Sequence, residues 1–255
     1  MDMLSQRLQQ AVDFLSACEV AADIGCDHGY ASLALLRSGK AKRVIACDIS
    51  AASLEKTRRL LLQCGYQDRA QWFVCDGLAC AVHAQAALIA GMGGYTIAHI
   101  LAQDAPIAHA MQQLVLQPSD SAHVLRSFLA ENGYAIERET IVRDGRLYPL
   151  LSVRYTGQPY ALNAVQAWIG PMNIDRMDDN TRAYIGWQIR ILQKTYRTPA
   201  SSERGRRMQK ENRMLAEQLR LLLPSDKGEW THDTDSQTDR GRTGADGAER
   251  YDRRI

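Results

Sequence analysis

Between Asp23 and Gly29 the chain reads Asp-Ile-Gly-Cys-Asp-His-Gly, which places two carboxylates within one glycine turn. The turn follows an apolar run, Val20 to Ala22 with Ile24, and precedes a helical pattern of Ala31, Leu33, Ala34, Leu35 and Leu36 that Gly39 closes. A second apolar run, Val44 to Cys47, ends on Asp48. Strand, glycine turn, helix and strand in about 29 residues match the length of a nucleotide-binding βαβ unit. Asp48 falls about 20 positions after the turn, where a carboxylate can accept from ribose hydroxyls. A helix N-terminus favours anions, but Asp23 and Asp27 would repel a pyrophosphate. S-adenosylmethionine has no phosphate and carries an ammonium and a sulfonium, which carboxylates attract. The plain alternative is an aspartate that only caps a helix.

Chemistry at such a turn needs a sheet to hold it. Leu4, Leu8, Val12 and Leu15 repeat at helical spacing, and Ser50 can cap a helix that carries Leu54, Leu60 and Leu61 and stops at Gly65. Residues 70–75 predict a third strand followed by Asp76-Gly77, and residues 86–90 a fourth followed by Gly91-Met92-Gly93-Gly94. Residues 114–116 form the core of a fifth, ending in Gln117-Pro118, and a helix over 121–132 stops at Gly133. Residues 134–142 and 147–155 flank Asp144-Gly145 as a hairpin. This alternation predicts an α/β fold, a doubly wound, Rossmann-like sheet with an antiparallel edge. Chemistry in such sheets sits at the carboxyl ends of the parallel strands, and each of those ends carries polar or glycine residues. The candidate cofactor-binding set is Asp23, Gly25, Cys26, Asp27, His28, Asp48, Ile49, Asp76, Gly77, Gly91 and Met92, with Asp27, Met92 and Gly93 nearest the reacting group. For Asp76-Gly77 a simple turn, and for His28 an ordinary loop histidine, remain open.

Beyond Gln158 a connecting segment runs to Pro171, followed by two helical patterns near 178–196 and 203–223. In the second, Met208, Leu215, Leu219 and Leu222 stand near heptad spacing, which predicts a helical hairpin or short coiled coil. The expected division is a cofactor domain over 1–158, a helical domain over 159–224 and a disordered, apolar-poor tail over 225–255. Residues 1–175 hold 14 Lys and Arg against 16 Asp and Glu, residues 176–223 hold 11 against 5, and residues 224–255 hold 6 against 8. The excess positive charge therefore lies on the helical segment, as either a polyanion surface or a solvated face. Six cysteines (18, 26, 47, 64, 75 and 80) show no C-x-x-C pair and read as reduced thiols, with no metal ligand expected. The first ten residues lack a secretory layout and no apolar run approaches the roughly 20 residues of a membrane span. The expected location is the cytoplasm.

Leu4-Ser5-x-Arg7-Leu8, ADIGCDHGY at 22–30, Asp76-Gly77-Leu78, IAGMGG at 89–94 and LQP at 116–118 together resemble the TrmK family, bacterial methyltransferases of tRNA adenine 22 at N1. The resemblance spans about residues 3–223. It implies a Rossmann-like S-adenosylmethionine domain, a C-terminal coiled-coil domain that helps hold tRNA, and methyl transfer to adenine N1. The loop after strand four has no Asn-Pro-Pro-Tyr type of motif for an exocyclic amine. Neither it nor the end of strand five carries a cysteine for pyrimidine C5 chemistry. The expected partner is tRNA, with no membrane and no metal, and the expected state is a monomer. The rival expectations are a small-molecule methyltransferase whose helical hairpin dimerises, and a tRNA-binding protein without catalysis.

Overall fold

The computed structural model describes residues 4–197 and 200–224, so the tail expected to be disordered lies outside the described residues. Seven strands form one sheet: β1 (Cys18–Ile24), β2 (Ala41–Asp48), β3 (Ala70–Val74), β4 (Ala86–Met92), β5 (Gln113–Pro118), β6 (Tyr134–Asp144) and β7 (Arg146–Tyr155). Their order is β3-β2-β1-β4-β5-β7-β6, with β7 antiparallel to both β5 and β6. The chain leaves β1 in one direction across the sheet and returns through β4 in the other. That topological switch opens a crevice at the carboxyl ends of β1 and β4.

Alternation along the strands builds a core on each face. Ala87 and Ile89 of β4 and Leu114 and Leu116 of β5 point to the side covered by α4 (Gly94–Gln103), α5 (Ala105–Ala110) and α6 (Ala122–Glu131). Leu88 and Val115, one residue out of step, point to α1 (Gln6–Phe14), α2 (Tyr30–Arg37) and α3 (Ala51–Gln63). Caps fix where these helices start. Ser5 Oγ accepts the Leu8 N–H at 3.4 Å, and Ser50 Oγ accepts the Ser53 N–H at 3.2 Å.

The segment before Pro171 is more structured than a connector. Asn163 and Gln166 form a reciprocal capping box that starts α7 (Ala164–Ile169), a short-range signal hidden by the polar residues around it. Gly170, at φ +98°, then turns the chain into α8 (Pro171–Arg176). The helical hairpin is present as α9 (Asp179–Arg197) and α10 (Glu203–Arg220). Its buried seam joins Tyr184, Ile185, Ile189 and Leu192 to Leu215, Ala216 and Leu219, and it continues onto Ile141 of β6. Met208, expected in that seam, is 53% exposed, so the heptad contact is confined to one end of the hairpin.

Helices and sheet are joined by a fully buried ion pair. Arg126 Nε donates to Glu139 Oε2 at 3.0 Å, and Arg126 Nη1 donates to the carbonyls of Ala167 at 3.0 Å and Trp168 at 3.1 Å. Glu139 Oε1 accepts the Met172 N–H at 3.0 Å. Removing one partner of such a pair costs about 3–5 kcal/mol, because the other charge is left buried and uncompensated.

Candidate active site

The glycine turn uses its own backbone donors. The N–H groups of Gly25 and Cys26 donate to the Cys47 carbonyl at 2.8 and 3.0 Å, and Gly29 N–H donates to the Cys26 carbonyl at 2.7 Å. Asp27 N–H donates to Asp48 Oδ2 at 3.0 Å, while Asp48 Oδ1 accepts the Ser50 N–H at 2.8 Å. A phosphate would therefore meet carboxylates here and find these four amides occupied. Asp27 adopts φ +44°, an unfavourable region for a residue with a side chain, and Thr57 Oγ1 holds its carbonyl at 2.9 Å. Only glycine fits at Gly29, where an added Cβ would stand 2.7 Å from Thr57 Cγ2.

Charge in the crevice is graded by depth. Asp23 is buried beneath the turn at 3% exposure, with its Oδ2 accepting from Ser32 Oγ at 2.6 Å. Burial pushes its pKa up to about 6, against the Ser32 hydrogen bond and with a small contribution from Asp48. Asp27 and His28 stand exposed above it, with His28 Nε2 3.7 Å from Asp27 Oδ2 and its ring stacked on Tyr30. Cys26 is packed inside the turn, and burial pushes its thiol up to about 12, so it is a space-filling group at neutral pH. Asp48 is nearly buried, whereas Ile49 beside it is 73% exposed, an apolar platform next to a carboxylate. Asp76 is exposed at the end of β3, and the buried Gly77 carries φ +68°.

The fourth strand end closes over the first. A bulge in the β4–β5 pairing falls at Gly91 (φ +80°) and re-aims Met92, whose methyl group packs directly on Gly25. Gly94 is pressed against the Ser121 backbone, with Gly94 N–H donating to the Asp120 carbonyl at 3.0 Å. Ser121 itself takes φ +48°. The sequence-predicted residues thus gather at one rim, except that Asp23 lies below it, sealed from the opening.

Several supporting residues were not in the predicted set. Gln117 is fully buried, and its Oε1 accepts from Arg7 Nη1 at 2.6 Å and from Gly91 N–H at 3.2 Å. Arg7 also lies over the Tyr148 ring, 5.1 Å from its centroid. Asp104 Oδ2 accepts the Leu78 N–H at 2.6 Å and so holds the turn after β3. Asp120 places its Oδ1 3.2 Å from where a Cβ on Gly93 would stand. Arg7 and Gln117 did stand in the recognised segments, but nothing in their spacing pairs residues 110 positions apart. A separate groove of 870 Å³ between α1, β6 and α8 is lined by Arg138, Arg143 and Arg176 among others. All three are engaged, on the Phe14 ring, Asn180 and Asp178 respectively, which makes it a packing feature.

Residues 4–151 match the family described as a methyltransferase domain. The tRNA (adenine(22)-N(1))-methyltransferase of Bacillus subtilis is 34% identical over 151 residues, which span 58% of this chain and 63% of that relative. The crystal structure of the B. subtilis M1A22 tRNA methyltransferase TrmK superposes with a TM-score of 0.76 at 26% identity, covering 86% of this chain and 98% of that one. M. capricolum TrmK, solved with the cofactor product S-adenosyl-homocysteine, shares the fold at a TM-score of 0.73 and 21% identity, covering 87% and 100% of the two chains. No helix among the described residues is long and apolar enough to cross a membrane. With a family match over more than half its length and this shared architecture, the chain belongs to the methyltransferase-domain family, in its TrmK branch.

Proposed function

We propose that the protein uses S-adenosylmethionine to methylate N1 of adenine 22 in tRNA. The observation that carries the cofactor is the glycine turn, whose amides are internally bonded and whose exposed Asp27 carboxylate stands at the opening, where it suits a cationic ligand. Asp48 and Ile49 would hold the ribose and flank the adenine ring, Asp76 and Gly77 would border its edge, and Gly25, Cys26, Asp27, His28, Gly91 and Met92 would line the methionine end. When bound, the cofactor supplies an electrophilic methyl group on a cationic sulfur.

Adenine N1 offers an unprotonated lone pair, so the chain needs no strong base and positioning can supply most of the acceleration. The ring becomes cationic on transfer. Exposed Asp27 then stabilises positive charge, while Met92 and Gly93 shape the space between the reacting atoms. Tyr95, 66% exposed at the start of α4, offers a face on which an unstacked base can rest. No metal takes part in this step.

Residues 1–158 would form the cofactor-binding part and residues 159–224 the part that grips tRNA, in a monomer working in the cytoplasm. Arg204, Arg206, Arg207 and Lys210 are exposed along α10 and suit phosphate contacts. A small-molecule methyltransferase would have no use for that surface, and the relatives' names speak against it. The deciding experiment incubates the protein with S-adenosylmethionine and unmodified tRNA, then digests the RNA to nucleosides. 1-Methyladenosine should appear, and should vanish when position 22 is changed to guanine. N6-methyladenosine, 5-methylcytidine or no product would overturn the assignment.

A further inference from the structure

Cys47, Cys75 and Cys80 stand 28 and 5 positions apart in the sequence, yet their sulfurs all lie within 4.8 Å of one another. Cys47 is the last residue of β2 before Asp48, and Cys75 follows β3 directly. The two strands run parallel in register, Cys47 opposite Phe73, so their ends emerge side by side. Cys75 N–H donates to the Asp48 carbonyl at 3.1 Å, which fixes that alignment. The intervening turn returns Cys80 to the same point, and Asp104 holds it through Leu78. Cys47 Sγ lies 3.4 Å from the Cys75 carbonyl and 3.7 Å from the Gly77 carbonyl.

Three thiolates bound to one ion at about 2.3 Å would have sulfurs about 4 Å apart, so the observed set needs little movement to close. Among the described residues no imidazole or carboxylate joins the group. An all-sulfur set selects soft ions such as Zn²⁺ and Cu⁺ over Mg²⁺ or Ca²⁺. Cys47 is buried, while Cys75 and Cys80 are half-buried, so an ion can enter and a solvent ligand can complete its shell. We propose that Cys47, Cys75 and Cys80 form a binding site for one thiophilic d¹⁰ metal ion, Zn²⁺ or Cu⁺, which clasps the ends of β2 and β3. Binding releases the thiol protons to solvent, forms three metal–sulfur bonds and changes no oxidation state. The site takes no part in methyl transfer, and its test is independent of that reading.

The test uses the full-length, reduced, metal-stripped protein. Zn²⁺ is titrated against a colorimetric chelator, Cu⁺ against a Cu⁺-specific one in a parallel arm, and thiols are counted with a thiol reagent before and after loading. One ion per chain should bind in one arm or both, three thiols should become protected, and Co²⁺ should develop thiolate charge-transfer bands. Cys75→Ser and Cys80→Ser should each weaken binding at least about tenfold, with the melting curve of the metal-free protein kept. Cys64→Ser should change nothing. Absence of stoichiometric binding in both arms overturns the proposal. So does undiminished binding by a folded Cys80→Ser protein, or protection of two thiols by a disulfide. If the serine variants do not fold, the stoichiometry and the thiol count of the unaltered protein decide.

Discussion

Asp48 Oδ2 accepts the backbone N–H of Asp27 at 3.0 Å, so the carboxylate at the end of β2 also holds the glycine turn after β1. Its other oxygen accepts the Ser50 N–H at 2.8 Å, at the start of α3. Each oxygen keeps a second lone pair for a ribose hydroxyl. Asp48→Ala should therefore weaken S-adenosylmethionine binding at least about tenfold, since a hydrogen bond to a charged group is worth about 1.5–3 kcal/mol. It should also lower the melting temperature without unfolding the domain, because two amides lose their acceptor. Calorimetric titration beside a thermal melt separates the effects, and unchanged affinity in the folded variant removes Asp48 from the site.

Asp23, buried beneath the turn, is expected to make cofactor binding depend on pH. Burial raises its pKa to about 6 in the folded protein, above its value in the unfolded chain. Its protonated form therefore favours folding, a contribution present in full below the ordinary carboxylate range and lost as pH rises through about 6. A cationic ligand prefers the carboxylate, so binding should draw off a proton. S-Adenosylmethionine affinity should rise between about pH 5 and pH 7 while the stability of the free protein falls. Asp23→Asn should flatten both trends. A flat affinity profile in the unaltered protein would show that Asp23 does not sense the ligand.

Arg7 and Gln117 brace the end of β4 at Gly91. Gln117 is the shared acceptor, for Arg7 on one side and Gly91 on the other. Arg7→Ala should lower kcat about ten- to hundredfold, the scale of a small misplacement of reacting groups. The dissociation constant of S-adenosylmethionine should stay within about twofold. A loss confined to cofactor affinity would refute a positioning role.

The exposed cations of α10 should matter in proportion to salt. Replacing Arg204, Arg206, Arg207 and Lys210 together by Gln removes up to four phosphate contacts, each worth roughly 0.7–0.9 in the slope of log affinity against log salt. tRNA binding should weaken and become less salt-sensitive, with S-adenosylmethionine binding unaltered. Filter binding across a salt series is the measurement, and an unchanged slope would place the RNA elsewhere.

The strand ends were legible because each combines an apolar run with an abrupt polar or glycine stop, and that pattern is local. Asp27, Asp48 and Met92 could be assigned to one rim from chain order and the rule that sites lie at carboxyl ends. What escaped depends on distance in sequence. Gln117 with Arg7, Asp104 with Leu78 and the three converging thiols are tertiary facts with no periodic trace. The α7 and α8 helices escaped for another reason, being only six residues each and too short for a 3.6-residue period to declare itself. Met208 shows the opposite error, a heptad position left in solvent.

The Arg126–Glu139 pair has a consequence for how this protein can be inherited and recombined. By chain order the seam between sheet and helices falls near residue 158, but the pair straddles that seam through Ala167, Trp168 and Met172. A crossover there would hand Arg126 and Glu139 to a foreign α7–α8 turn, with no assurance of carbonyls, an amide or a glycine at 170. A crossover ahead of α6 carries the guanidinium, its carboxylate and all their backbone partners together. The heritable unit is thus the stretch from α6 to α10, edge hairpin included, so a graft of the C-terminal helices should succeed only when it brings two strands of the sheet with it.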